Sequence, residues 1–239
     1  MKREILARSL ALSRAGRPAA LVTHLKSGRH ALVEEGDVVE GDLRLDATAL
    51  GAVRTAIRDD RSTTVEVSDG RLFVEVFNPP LRLIVVGAVH AAQPLARMAA
   101  IAGYAVTIVD PRTAFATEER FPGVALSAEW PDEAMPRLKP DRRTAIVTLT
   151  HDPKIDDPAL TVALKSQAFY VGALGSKRTH AGRCQRLKEA GFADAEIARI
   201  HGPVGLSIGA LTPAEIAISI LAQITQVLRA DRIKERAAA

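Results

Sequence analysis

The sequence predicts an α/β protein, with a doubly wound parallel sheet in its C-terminal part and a smaller α+β domain before it. Three observations carry this reading. The stretch LRLIVVG at residues 81–87 is one continuous apolar run, as a strand covered on both faces requires. Strand-like runs and helical patterns alternate after it, the order that builds parallel sheets. Asn78-Pro79-Pro80 breaks helix and sheet alike, which places a boundary between a domain of residues 1–78 and one of residues 81–232.

The elements follow in order. MKREILARSLALSRAGRPAA has basic residues but no apolar core before a cleavage site, and Arg8 and Arg14 interrupt it. It reads as a surface helix and not a signal peptide. AALVTHLK and HALVEEG are short strands, and a second helix is expected around Ala47 to Arg58. In TTVEVSDGRLFVEVF, two alternating β-branched runs joined by Ser68-Asp69-Gly70-Arg71 predict a hairpin.

Beyond the prolines, LRLIVVG opens the second domain. PLARMAAIA follows as a helix, with Pro94 near its start and Gly103 past its end. YAVTIVD is a strand, GVALSA a short one, and TAIVTLT and AFYVGALG two more, with helices over 156–166 and 177–190. In the last helix Thr212 and Glu215 form a capping-box pattern around Pro213. Ile216, Ile220, Leu221, Ile224, Val227 and Leu228 then share one face.

Composition narrows the function. The 239 residues carry a net charge of +4 and only 4% aromatics, without a basic stripe interleaved with aromatics. No nucleic-acid partner is therefore expected. No run approaches the roughly 18 apolar residues of a membrane span. Cys184 is the single cysteine, which rules out an internal disulfide and leaves a reduced, cytoplasmic setting as the default expectation. No nucleophile elbow or Walker loop occurs, so covalent catalysis is not expected, and neither is a catalytic residue.

Ligands of an open parallel sheet bind outside the carboxyl ends of its strands. The polar residues of the second domain collect there. Where a dinucleotide fold has G-x-G-x-x-G, this chain has Gly87-Ala88-Val89-His90-Ala91-Ala92. Helix-start amides remain for an anion, but Val89 stands where a glycine would let a pyrophosphate approach the backbone. Asp110 lies at the spacing of a ribose-binding acid, and Arg112 beside it could instead take a phosphate or a pterin oxygen. THDPKIDD offers His151, Asp152 and Lys154 after a strand. Imidazole and carboxylate suit zinc or manganese, yet Pro153 and Lys154 disfavour a compact chelate, and no metal site is expected. The competing reading is a loop in which Asp156 or Asp157 caps the next helix. Gly175, Ser176, Lys177 and Arg178 open a helix with donors and charge suited to an anion.

FVEVFNPPLRLIVVGAVHAAQPLARMAAIAGYAVTIVDPR, TLTHDPKIDDPAL, FYVGALGSKRTH and PVGLSIGALTPAEIAISILAQI, in that order between Phe73 and Leu228, resemble the XdhC/CoxI family. These are accessory proteins of xanthine dehydrogenase and carbon monoxide dehydrogenase type molybdenum enzymes. The resemblance implies a C-terminal Rossmann domain and a chaperone role. Such a protein would bind the molybdenum cofactor (molybdopterin or a nucleotide form), help its sulfuration with a cysteine desulfurase, and pass it to a molybdenum hydroxylase client, commonly as a homodimer. It would place Gly87, Ala88, Val89 and His90 on the phosphate, and Asp110 and Arg112 on a ribose or pterin edge. His151, Asp152, Lys154, Gly175, Ser176, Lys177 and Arg178 would line the opposite wall. The chain departs from the family in its shortened first domain. Many members have a glycine-rich S-G-G-C-V-E type segment there, where this chain reads EEGDVVEGDLRLD without cysteine.

The residues alone leave three other readings open. One is an NAD(P)-dependent oxidoreductase on the same domain, with Asp110 favouring NAD and Arg112 admitting NADP. A second is a metal-dependent hydrolase using His151 and Asp152. The third is a scaffold for the desulfurase or client with no ligand of its own.

Overall fold

The computed structural model describes residues 3–34, 36–230 and 233, and the chain divides into two units, Met1–Pro79 and Pro80–Ala239. The outer limits of the two expected domains at residues 1–2 and 231–232, and Glu35 of the EEGDVVEG segment, lie outside the described residues.

The first unit is an antiparallel sheet with a helix on each face. Its elements are α1 (Arg3–Arg14), β1 (Ala19–His24), β2 (His30–Glu34), β3 (Asp37–Gly41), α2 (Ala47–Arg58), β4 (Thr63–Val67) and β5 (Gly70–Phe77), and the strand order is β3-β2-β1-β5-β4. Alternation along β1 explains the layering: Ala20 and Val22 join the cluster under α2, whereas Ala19 and Leu21 pack with Ile5 and Leu12 of α1. The N-terminal helix thus lies on the surface with one stripe buried. Asp46 caps α2 by accepting the Ala49 amide at 2.8 Å. The expected hairpin closes with Val67 opposite Gly70, leaving a two-residue turn. β3 has no counterpart in the expectations, because every one of its residues is exposed and none of the usual half-buried alternation is written into it.

The second unit is the doubly wound sheet. It contains β6 (Leu81–Val86), α3 (Ala92–Ile101), β7 (Tyr104–Val109), β8 (Ala125–Ser127), α4 (Pro131–Leu138), β9 (Thr144–Thr148), α5 (Pro153–Lys165), β10 (Tyr170–Ala173), α6 (Lys177–Glu189), α7 (Asp194–Ile197), β11 (Ile200–His201) and α8 (Pro213–Leu228). All neighbouring pairs are parallel, in the order β11-β10-β9-β6-β7-β8. The central strand shows why its sequence is apolar from Leu83 to Val86. Leu83 and Val85 meet α3 and α8 on one face, while Ile84 and Val86 meet α4 and α5 on the other.

Helix α5 begins at Pro153, three residues before its expected start. Asp152 accepts the Lys154 amide at 2.9 Å as N-cap, and proline needs no N–H in the first turn. The Thr212–Glu215 capping box forms as the sequence pattern requires, with Glu215 also taking the Leu211 amide at 2.8 Å. Ile220 and Ile224 of the expected apolar face are fully buried against α3.

Candidate functional site

Because the strands are parallel, their carboxyl ends share one edge, and chain direction reverses between β6 and β9. After β6 runs to β7 and β8 on one side, β9 returns to the other side of β6. That reversal opens the crevice in which such sheets hold ligands. Gly87 sits at its floor with φ +110°, and a Cβ there would lie 2.5 Å from Thr150 Cγ2, so the turns after β6 and β9 touch only because residue 87 is glycine.

Two clefts flank this contact. The first, of about 330 Å³, is bounded by Val89 and His90 of the glycine turn and by Arg112, Phe115 and Arg120 of the loop after β7. Asp110 organises it from behind. Its carboxylate is wholly buried, accepts the Ala88 amide at 2.7 Å, and takes Arg112 Nε at 2.8 Å and Nη2 at 2.7 Å. Burial alone would raise the Asp110 pKa. The hydrogen bonds from Arg112 and Ala88 outweigh it and hold the carboxyl below its ordinary value, while Asp110 in turn pushes Arg112 further up. Asp110 thus reaches the cleft through Arg112 and the turn, not by its own oxygens. The Arg112 guanidinium lies over the Phe115 ring at 4.7 Å and that of Arg120 at 5.8 Å. Phe115 itself is 45% exposed. Exposed His90 stands before α3, whose N-cap, Ala91, supplies no side-chain hydrogen bond. The arrangement offers positive charge, amide donors and an open aromatic surface to a flat anionic molecule.

The second cleft, of about 270 Å³, lies between the loop after β9 and helix α6. His151, Asp156, Arg178, Thr179, Arg183 and Arg186 bound it. His151 has φ +62°, a backbone conformation stabilised by its amide donating to Asp156 at 3.2 Å. Buried Asp156 also accepts Thr150 Oγ1 at 2.6 Å, and burial pushes its carboxyl above the ordinary value despite these bonds and the nearby Arg183.

The expected site residues therefore divide. Ala88, Val89, His90 and Arg112 come together in the first cleft, and His151 and Arg178 in the second. Gly87 is the contact between turns, Asp110 braces, and Asp152 caps α5. Ser176 caps α6 by accepting the Thr179 amide at 3.1 Å. Gly175 has φ +143°, and a Cβ there would sit 3.0 Å from Thr179 Cγ2. Lys154 and Lys177 are exposed in the first turns of α5 and α6. Among the described residues, no group of three or more His, Cys, Asp or Glu is placed to hold a metal ion.

Sequence reasoning missed Phe115, Arg120, Arg183 and Arg186. Phe115 and Arg120 lie in the long irregular connection between β7 and β8, and such a loop at a strand's carboxyl end is itself the signal. Arg178, Gly182 and Arg186 repeat every four residues, which puts them on one face of α6.

Comparison with known proteins identifies the family of the second unit. A model of the XdhC Rossmann domain matches residues 83–224. The chain is 36% identical over 151 residues to the molybdenum cofactor insertion chaperone PaoD of Escherichia coli, covering 63% of this chain and 41% of that protein. It is 33% identical over 156 residues to a Bacillus subtilis protein named as a probable xanthine dehydrogenase subunit, covering 65% of this chain and 45% of that one. It thus spans less than half the length of these curated relatives. A crystal structure described as a xanthine dehydrogenase from Bacillus halodurans matches with a TM-score of 0.73 and 26% identity, over 98% of this chain and 69% of its own. Among the described residues no helix is long and apolar enough to cross a membrane.

Proposed function

The chain belongs to the XdhC family, and from that premise we propose that it binds the molybdenum cofactor and delivers it to a xanthine dehydrogenase type molybdenum hydroxylase. The observation that carries this reading is the first cleft, in which the Arg112 and Arg120 guanidinium groups meet the exposed Phe115 ring beside the amides of the glycine turn. A pterin is flat and polar at its edge, and its tail is a phosphate. Phe115 would stack the ring, Arg112 and Arg120 would take its oxygens, and the turn at Val89 and His90 would hold the phosphate. PaoD, similar over 151 residues of this chain, is named for insertion of this cofactor.

The fit extends to the organic part and stops at the metal. Cys184, the single cysteine, lies on α6 outside both clefts, so neither offers molybdenum a protein thiolate. The role that suits this is carriage: the bound cofactor brings its own redox chemistry, and the residues here position and shield it. Sulfuration with a cysteine desulfurase and a homodimeric assembly belong to the same proposal. Asp110 argues against the oxidoreductase alternative. A ribose hydroxyl would have to displace Arg112 or the Ala88 amide from a carboxylate that both already occupy.

The test is to isolate the protein from cells that make the cofactor, assay molybdenum and oxidised-pterin fluorescence, and titrate the same sample with NAD and NADP. Near-stoichiometric pterin that falls away in Arg112→Ala is the expected result. Absent pterin together with micromolar dinucleotide binding overturns it in favour of the oxidoreductase. Absence of both ligands favours the scaffold.

A further inference from the structure

The second cleft holds a feature the cofactor reading does not use. Arg183 is 2% exposed, yet its guanidinium is only partly satisfied. Nη2 donates to the Leu174 carbonyl at 2.8 Å and lies 3.7 Å from Asp156 Oδ2. Nε and Nη1, both shielded from solvent, have no hydrogen-bond partner among the described residues. Asp156 is poorly placed to take them. Its Oδ1 is engaged by Thr150 and its Oδ2 by the His151 amide. Proteins rarely leave buried charged donors empty, and water, an ion or a ligand is what ordinarily fills such a place.

The surroundings point to an anion. Arg178 is exposed on the rim, and Arg186 is held in place by Asp157 at 2.5 and 3.0 Å. Thr179, in the first turn of α6, also lines the cleft, its hydroxyl 3.0 Å from Ser176 Oγ. Three arginines thus face two carboxylates, Asp156 and Asp157, and the balance is cationic before His151 is counted. Gly182 lies on the same wall between Arg178 and Arg186, where a Cβ would make only ordinary contact with Arg186 Nη1 at 3.7 Å. A space of about 270 Å³ has room for a phosphate group. Guanidinium forks match the tetrahedral oxygens of phosphate.

We propose that the cleft between the β9 loop and α6 is a second oxyanion subsite, built on Arg183 and Arg178, that binds a phosphate group. It is distinct from the glycine-turn cleft, which lies beyond the Gly87–Thr150 contact, and it stands whether or not the cofactor reading holds. The phosphate is either the second phosphate of a ligand whose pterin is seated in the first cleft, which would make that ligand a dinucleotide form, or a separate small phosphate compound.

Inorganic phosphate is the probe, followed by ³¹P line broadening and by thermal stabilisation of the full chain, with Arg112→Ala silencing the first cleft. Saturable phosphate binding survives in Arg112→Ala. Adding Arg178→Ala or Arg183→Met weakens it by about tenfold or more, the scale of one hydrogen bond to a charged group. Should the Arg183→Met chain fail to fold, the exposed Arg178→Ala decides alone. No saturable binding in Arg112→Ala, or binding indifferent to Arg178→Ala, overturns the subsite. In the wild-type chain, competition with a pterin ligand that Arg178→Ala relieves assigns the subsite to that ligand's own phosphate, and phosphate that binds alongside assigns it to a separate compound. Phosphate binding without any pterin binding refutes only the cofactor reading, and pterin binding with no phosphate site refutes only this one.

Discussion

Replacing Asp110 by alanine tests the central claim about the first cleft, that a buried carboxylate fixes both the glycine turn and Arg112. The mutation strands the Ala88 amide in a fully buried position, a loss of about 1–3 kcal/mol for an unsatisfied donor. Arg112 also loses its two side-chain contacts, but its side chain is 39% exposed, so solvent screens that half and it adds at most about 1 kcal/mol. The expected sum is roughly 1–4 kcal/mol. Trp130, the single tryptophan, lies in the second unit and reports its urea unfolding by fluorescence. A loss below about 0.5 kcal/mol would refute the reasoning, being what an inconsequential surface change gives. The pH dependence has a definite sign. The folded-state carboxyl titrates below its ordinary 3.8, so its contribution is complete above that value and fades as pH falls through the folded pKa. The stability gap between wild type and Asp110→Asn is therefore flat above about pH 5 and closes in stronger acid.

Three further outcomes follow from the same geometry. Phe115→Ala, at an exposed ring, should leave urea stability within about 0.5 kcal/mol and weaken pterin binding about tenfold, the stacking contribution of one aromatic, as read by fluorescence titration. Gly87→Ala combines a φ of +110° with a Cβ 2.5 Å from Thr150 Cγ2, and should cost about 2–4 kcal/mol in the same unfolding assay. Asp152→Ala should cost about 1 kcal/mol as a lost N-cap and leave ligand affinity unchanged, which separates capping from ligand contact at that residue.

The architecture of the second unit was legible because its signals are local and redundant. A strand that is apolar throughout residues 83–86 must be covered twice, and Thr212-Pro213 with Glu215 can cap only a helix start. The elements that escaped are those whose cause lies elsewhere in the fold. α4 contains Pro136 within eight residues and looks like a breaker, yet Ala134 and Met135 anchor it to the sheet. β11 is two residues paired to β10, too short to show any period. The site was half legible for a similar reason. Strand ends and glycine turns announce where ligands gather, so His90, Arg112, His151 and Arg178 could be found. Whether a carboxylate meets a ligand or an internal partner depends on side-chain direction, and Asp110 and Asp152 turn out to be committed inside the protein. Arg183 carries no mark in the sequence that separates it from the solvated arginines around it.

The reversal of strand order at β6 also shapes how this domain comes into being on the ribosome. β6 is the first strand of its sheet to be synthesised and sits near the middle of the finished sheet, with β7 on one side and β9 on the other. β7 follows within a few tens of residues, but the register Arg82 to Thr144 means the other flank waits for a further stretch of 62 residues. At common elongation rates that is roughly 3–12 s during which this central strand has a naked edge. Such an edge is a template for pairing with another chain. The nascent protein is thus most exposed to aggregation while this middle portion emerges, and substitutions that slow docking of β9 should lower soluble yield more than their effect on final stability would suggest.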